Sequence, residues 1–233
     1  GFHVLRNLVI NELRKFMRLS DNLKGAALMT GCVSAYVIND AFMKYLFSEM
    51  VFFQAIFLRS IISVPPVLVI VLVTKVAIRK LSSENKRLLW MRVAAEICTT
   101  IAFLTALKYM PLANVTAISQ ALPLAVTMAA ALFLSEPVGW RRWSAILVGL
   151  FGVLIVVRPG LEDFNIYSLV ALAAIIFITV REIVTRKLTS EVPTITVVLS
   201  TAIGSSLFSG IMMIGVEWSD VRLTAWLLLF GAA

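Results

Sequence analysis

The sequence predicts an all-α protein: a polytopic membrane helix bundle with an inverted-topology five-helix repeat whose second copy is truncated. Three observations carry that expectation. The 233 residues are 60% hydrophobic and 15% charged, with a mean hydropathy of +0.95; a soluble domain averages about 45–50% apolar and ~25% charged. The apolar residues fall in unbroken blocks of bilayer-crossing length. And two stretches spell the same helix end, INDAFMKYLFSE at 38–49 and VREIVTRKLTSE at 180–191. Glu182 stands where Asp40 stood (182 − 40 = 142), and Arg186 stands where Lys44 stood. Leu188, Ser190 and Glu191 repeat Leu46, Ser48 and Glu49.

About twenty residues at ~1.5 Å rise cross a ~30 Å hydrocarbon core. That ruler gives eight spans, at 25–46, 52–76, 88–107, 111–134, 143–157, 167–184, 194–216 and from 223 onward. The last has eleven residues, which reach only ~16 Å, so it is expected to continue past Ala233. Met17 begins MRLSDNLKGA, a basic flank before the first span. Residues 1–16 therefore read as an upstream extension, or as an interfacial helix. Residues 17–160 form the first repeat and 161–233 a partial second one, of spans six, seven and part of eight. Adding the offset, 160 + 142 = 302, puts the expected end of a complete repeat roughly seventy residues further on.

Lys and Arg set the direction. With the N-terminus cytoplasmic, thirteen cations fall inside: Arg14, Lys15, Arg18, Lys24, Lys75, Arg79, Lys80, Lys86, Arg87, Arg141, Arg142, Arg186 and Lys187. Four fall outside: Lys44, Lys108, Arg158 and Arg222. The balance places the N-terminus in the cytoplasm of a cell with the protein in its inner (plasma) membrane. Five spans separate one copy of the repeat from the next. Five is odd, so equivalent helices cross in opposite senses, an arrangement typical of secondary transporters.

Residues 110–160, MPLANVTAISQALPLAVTMAAALFLSEPVGWRRWSAILVGLFGVLIVVRPG, resemble the end of an EamA domain of the drug/metabolite transporter superfamily. The likeness lies in a span rich in small residues, a short LFLSEPVGWRRW loop, and a glycine-bearing span ending near V-RPG. Residues 17–160 resemble one whole unit and 166–233 the start of a second. The resemblance implies ten spans, both termini cytoplasmic, and a central cavity lined by the first four helices of each half, with the fifth peripheral. The chain departs from that pattern by stopping in span eight.

Ionisable groups within a membrane are costly and need a partner or a task. Arg59 enters from the outer side and Glu96 from the inner, towards the midplane. Together they could hold a zwitterion, Arg59 the carboxylate and Glu96 the amine. The plainer alternatives are an ion pair between the two, or Glu96 satisfied by Arg92 four residues earlier. In span four, Pro123 lacks an N–H, so the carbonyl of Ser119 loses its helical donor and a kink is expected. Ser119 and Gln120 then offer polar groups near mid-membrane, with Asn114 and Thr116 one turn earlier; they line a pathway or bond between helices. Asp40 and Glu182, with Arg181 beside the latter, are either paired gates or coupling groups, or simple ion pairs with the cation four residues on.

The remaining features are quieter. The +8 net charge sits in short connections, so nucleic acid is excluded as a partner. Cys32 and Cys98 lie in apolar blocks and read as packing residues. The lone His3 and scattered acids leave no metal site, no catalytic residues and no cofactor, and no phosphate-binding glycine loop is present, so the chain is not expected to be an enzyme. Ala125 with Ala129, and Ala145 with Gly149, have the spacing of close helix contacts. Trp140 and Trp143 suit an interface anchor. The expected function is secondary transport of a small polar metabolite, such as an amino acid or related zwitterion, by alternating access. The expected partners are the lipid bilayer, the small-molecule cargo and, as an option, a second copy in a homodimer. A non-transporting membrane subunit is the alternative, ahead of a membrane enzyme. The inverted arrangement has a direct check: tags at Ser83 and Asp163 are expected to label from opposite sides of the membrane. Labelling of both from one compartment would rule it out.

Overall fold

The computed structural model describes residues 21–74, 81–157, 165–188 and 192–232. The proposed extension 1–16, the RPG at 158–160, Asp163, and Ser190 and Glu191 of the second echo lie outside these residues. Among the described residues the regular structure is helical: α1 Asp21–Glu49, α2 Phe52–Thr74, α3 Ser83–Tyr109, α4 Leu112–Ser119, α5 Leu122–Phe133, α6 Trp140–Val157, α7 Tyr167–Lys187, α8 Thr194–Met212 and α9 Leu223–Ala232. Six segments are long and apolar enough to cross a membrane: Leu23–Glu49, Phe52–Val73, Ser83–Tyr109, Leu112–Phe133 (α4 with α5), Tyr167–Lys187 and Thr194–Met212. They fall on six of the eight expected spans. Helix α6 matches the fifth span in 18 residues that open with Arg141 and Arg142. Helix α9 is a shorter apolar helix at the eighth. The protein is a polytopic helical membrane bundle.

The chain divides into two compact units, Gly1–Asn39 and Asp40–Ala233, and α1 runs across the boundary. In the first unit, residues 21–39 are continuous helix with apolar side chains turned outward, Leu28 and Tyr36 each about two-thirds exposed (65% and 68%). The Thr30 hydroxyl donates to the Ala26 carbonyl on the same helix, at 2.9 Å. Such a segment suits hydrocarbon, where backbone groups must be satisfied internally and apolar side chains need no cover.

The second unit has its core around α3. One cluster joins Met43, Leu46 and Phe47 of α1 to Ala55, Ile56 and Leu58 of α2, Leu104 and Leu107 of α3, and Leu229 of α9. Another joins Ala106 and Met110 to Val115, Ile118, Val153, Ala171 and Ile175. Helix α3 lies along α7 and also meets α8; α2 lies along α8. Helix α6 packs on α4 and α5 at the periphery, with Val148 and Ile155 open to the surroundings. Gly149 makes that approach possible: a Cβ there would stand 2.0 Å from Leu124 Cδ1. Ala145, expected to share this contact, is exposed; Val153 of α6 packs on Val115 and Ile118 instead. Trp140 is exposed beneath the Arg141 guanidinium, 5.7 Å from its ring centre, as an interfacial anchor would be.

Polar contacts at helix ends fix the directions. Lys44 Nζ donates to the carbonyls of Leu107 (2.7 Å) and Met110 (2.6 Å). It thus covers the orphan carbonyls at the C-terminus of α3, where the helix dipole favours a cation. This replaces the local pair with Asp40 that the four-residue spacing suggested. At the same end, Tyr109, the last residue of α3, stacks on Tyr167 at the start of α7, centroids 4.5 Å apart. So residues 40–49 of α1 end where α3 ends and where α7 begins; this part of α1 and α7 point in opposite senses.

Gln54 holds the α8–α9 connection. Fully buried on α2, its amide donates to the Ser219 carbonyl at 2.8 Å and accepts from the Ser219 N–H at 2.9 Å. One side chain thereby satisfies both backbone groups of a loop residue. Replacing it by an apolar residue strands both, at about 1–3 kcal/mol each if they remain buried. Gln54→Leu in the full-length protein is expected to lower the melting temperature by about 4–8 °C, measured by thermal unfolding in detergent.

Candidate functional site

Two charged layers cross the second unit. The first is central. Glu96 stands thirteen residues from each end of α3 (96 − 83 and 109 − 96). Its carboxylate accepts from Arg181 of α7 at 2.9 Å. Arg181 also donates through Nε (3.2 Å) and Nη2 (2.7 Å) to Glu182. One guanidinium therefore binds two carboxylates and ties α3 to α7. The partner of Glu96 is thus Arg181, neither Arg59 nor Arg92 as the plainer readings of the sequence had it. Arg92 instead donates to two hydroxyls, Thr185 of α7 at 2.9 Å and Thr201 of α8. The four charged groups, two of each sign, balance.

Glu182 likewise does not use the cation four residues on. Arg186 reaches across to Glu136, at 3.0 Å. Glu136 belongs to the LFLSEP loop after α5, which turns sharply at Ser135 with a left-handed φ of 54°. Both groups are about half exposed, so this pair orients the loop more than it stabilises the fold.

The second layer lies nearer the other face. Arg59, seven residues into α2 (59 − 52), donates through Nε to the Ala232 carbonyl of α9 at 2.9 Å. Asp40, nine residues before the end of α1 (49 − 40), lies within the field of Arg59. So the structure brings together Glu96, Arg181 and Glu182 in one group and ties Arg59 to α9. Arg59 and Glu96 engage different partners.

The disturbance expected in span four is a local break in the helical hydrogen bonding, while the backbone of Gln120 and Ala121 stays right-handed helical. Gln120 and Ala121 form a turn between α4 and α5. Pro123 has no N–H, and the Leu124 N–H bonds Ala121 (3.1 Å) rather than its α-helical partner Gln120. Ser119 turns its hydroxyl back to Val115 at 2.8 Å, and Thr116 turns its own to Leu112 and Ala113. The side chains left open are Gln120 and Asn114, both exposed. Between α2, α3 and α8 lies a cleft of about 240 Å³, lined by Phe53, Ile56, Ile97, Thr100, Ile101, Ser205 and Phe208. It begins one residue from Glu96, and its lining is mostly apolar.

The residues that sequence reasoning left out of the site are Arg92, Thr185 and Thr201. Arg92 carried a signal, being a second intramembrane cation one turn before Glu96. The threonines carried none, since a hydroxyl within a span bonds its own helix as readily as a neighbour.

Residues 23–158, more than half of the chain, match the EamA-like transporter family. Among curated proteins, a riboflavin transporter of Vibrio cholerae is 31% identical over 61% of this chain and 48% of its own length. An S-adenosylmethionine uptake transporter of Rickettsia bellii is 31% identical over 44% of this chain and 35% of its own length. A pseudopaline exporter of Pseudomonas aeruginosa is 24% identical over 86% of this chain and 69% of its own length. The chain spans about half the length of the riboflavin transporter it matches, and 61% of another from Brucella anthropi. No solved structure matches it. A small-residue span, a SEP turn and a glycine-bearing fifth helix, set on a bundle of apolar helices and matched over 23–158, place the chain in the EamA-like transporter family.

Proposed function

We propose that the chain is part of a secondary transporter that moves a small polar metabolite across the inner membrane by alternating access. The observation that carries this reading is the Glu96–Arg181–Glu182 group at mid-helix depth, which joins α3 of the first repeat to α7 of the second. Charges at that depth persist only with partners or a task. A group shared between two halves is placed to be remade when the halves move. The relatives' names cover riboflavin, S-adenosylmethionine and pseudopaline. Those are chemically unlike polar metabolites, which supports the class and favours no single member. Amino acids and related zwitterions fit the balanced charge.

The packing supports an inverted repeat. Under the 142-residue offset, Arg59 of α2 corresponds to Thr201 of α8 (59 + 142), and Ala232 of α9 to Trp90 of α3 (232 − 142). Arg59 bonds Ala232; Thr201 bonds Arg92, two residues from Trp90. The α2–α9 and α8–α3 contacts thus correspond. Phe42 of α1 against Gly231 of α9 likewise corresponds to α7 against α3, through Val184 and Leu89. In the cycle we infer, Asp40 with Arg59, and Glu182 with Arg181, act as gating or coupling groups towards opposite faces. Arg59, Glu96 and the Ser119–Gln120 break, with Asn114, line the cargo path between them. The N-terminus is cytoplasmic.

Reconstitution of the full-length protein with a panel of metabolites tests the reading: concentrative flux is expected, and its absence across the panel counts for a non-transporting subunit. Arg59→Ala is expected to abolish flux while membrane insertion stays intact; normal kinetics in that variant would reject its role. Glu96→Gln removes one charge from a shared guanidinium and is expected to cut flux by at least about tenfold, a single charge-assisted bond of ~1.5–3 kcal/mol. The double exchange Glu96→Arg with Arg181→Glu separates the roles. Recovered folding without recovered flux is expected; recovery of both would make the pair purely structural.

A further inference from the structure

Arg92, nine residues into α3 (92 − 83) and ~13 Å from its start, has no role in that cycle. Its Nε donates to Thr185 at 2.9 Å and one Nη to Thr201. Each hydroxyl gives its own proton to its own helix, Thr185 to the Arg181 carbonyl at 2.7 Å and Thr201 to the Val197 carbonyl at 2.8 Å. Both oxygens are therefore left as acceptors, aimed at Arg92 from two different helices. A guanidinium has five N–H donors in a rigid plane. Two bonds to neutral hydroxyls fix that plane and leave the charge in place. Arg181 shows the contrast: its Nε and both Nη end on carboxylates. Glu96, Glu182 and Arg181 act on Arg92 through space, but neither acid bonds it. The fork is held at the junction of α3, α7 and α8 with donor capacity unused, in the geometry that suits a carboxylate or phosphate.

We propose that Arg92 is the docking point for an oxyanion, a carboxylate or phosphate group, of the transported molecule, with Thr185 and Thr201 setting the plane of its guanidinium. The proposal rests on the transporter reading and narrows the cargo. Glu96 and Glu182 nearby repel further negative charge, so one anionic end on a neutral or cationic body fits, and a polyanion does not.

Arginine-specific labelling tests this without knowledge of the cargo. The full-length protein in phosphatidylcholine nanodiscs is treated with phenylglyoxal, and adducts at Arg92 and Arg181 are quantified by peptide mass spectrometry. Acetate and inorganic phosphate are the probes, with chloride at equal ionic strength as the reference. Both probes are expected to slow Arg92 modification severalfold and to leave Arg181 unchanged. Thr201→Val, which keeps the charge but frees the plane, is expected to raise the probe concentration needed for half of that protection by about tenfold, the worth of one charge-assisted bond. Equal rates in probe and chloride overturn the proposal. So does protection that appears only when phosphatidylglycerol is added to the disc, which assigns the cation to a lipid headgroup. Flux of any metabolite without oxyanion protection sinks the Arg92 site and spares the transporter reading. Protection without flux from the panel sinks the transporter reading and leaves an oxyanion site.

Discussion

Much of the second unit is arranged around one guanidinium. Arg181 sits on α7 with a carboxylate of its own helix on one side and Glu96 of α3 on the other. Hydrocarbon offers no solvent to replace a lost partner, so each of these groups constrains the position of the others. That coupling explains why α3 and α7 lie against each other along their length. It also explains why Arg92, one turn from Glu96, is met by hydroxyls: the nearby carboxylates are already engaged by Arg181. Buried pairs of this kind add little net stability, because desolvation offsets attraction. Their effect is on register, since a shift of either helix by one residue would part Glu96 from Arg181 and Arg92 from Thr185.

The spans were legible because their physics is simple. Length and hydropathy placed 52–76 against the observed Phe52–Thr74, and 194–216 against Thr194–Met212. Partner choice was not legible. Four-residue spacing suggested Asp40 with Lys44 and Glu182 with Arg186. In the folded chain each of these cations goes elsewhere, Lys44 to the C-terminal carbonyls of α3 and Arg186 to Glu136. A helix end with exposed carbonyls is a strong acceptor for a flexible ammonium, but which end lies within reach is a tertiary fact. The same limit hid Thr185 and Thr201, whose significance comes only from what faces them.

Prolines illustrate the difference between local and global information. Pro123 was expected to disturb its helix, and α4 parts from α5 three residues before it. Pro65 and Pro66 stand within α2, which continues through them. The chemistry of the missing N–H is identical in both places. Around Pro123 the hydrogen bonding shifts to the tighter pattern of Leu124 N–H on Ala121; for α2 the described contacts offer no physical account of the uninterrupted helix.

The two-way amide contact between Gln54 and Ser219 has a mechanical corollary. A single hydrogen bond lets its partners swivel about the donor–acceptor line. Two in parallel behave as a hinge plate with no free axis. The top of α2 and the strap that leads into α9 therefore travel as one piece, and any tilt of α2 drags that strap along. Rearrangement of this bundle's far rim must begin at some other joint.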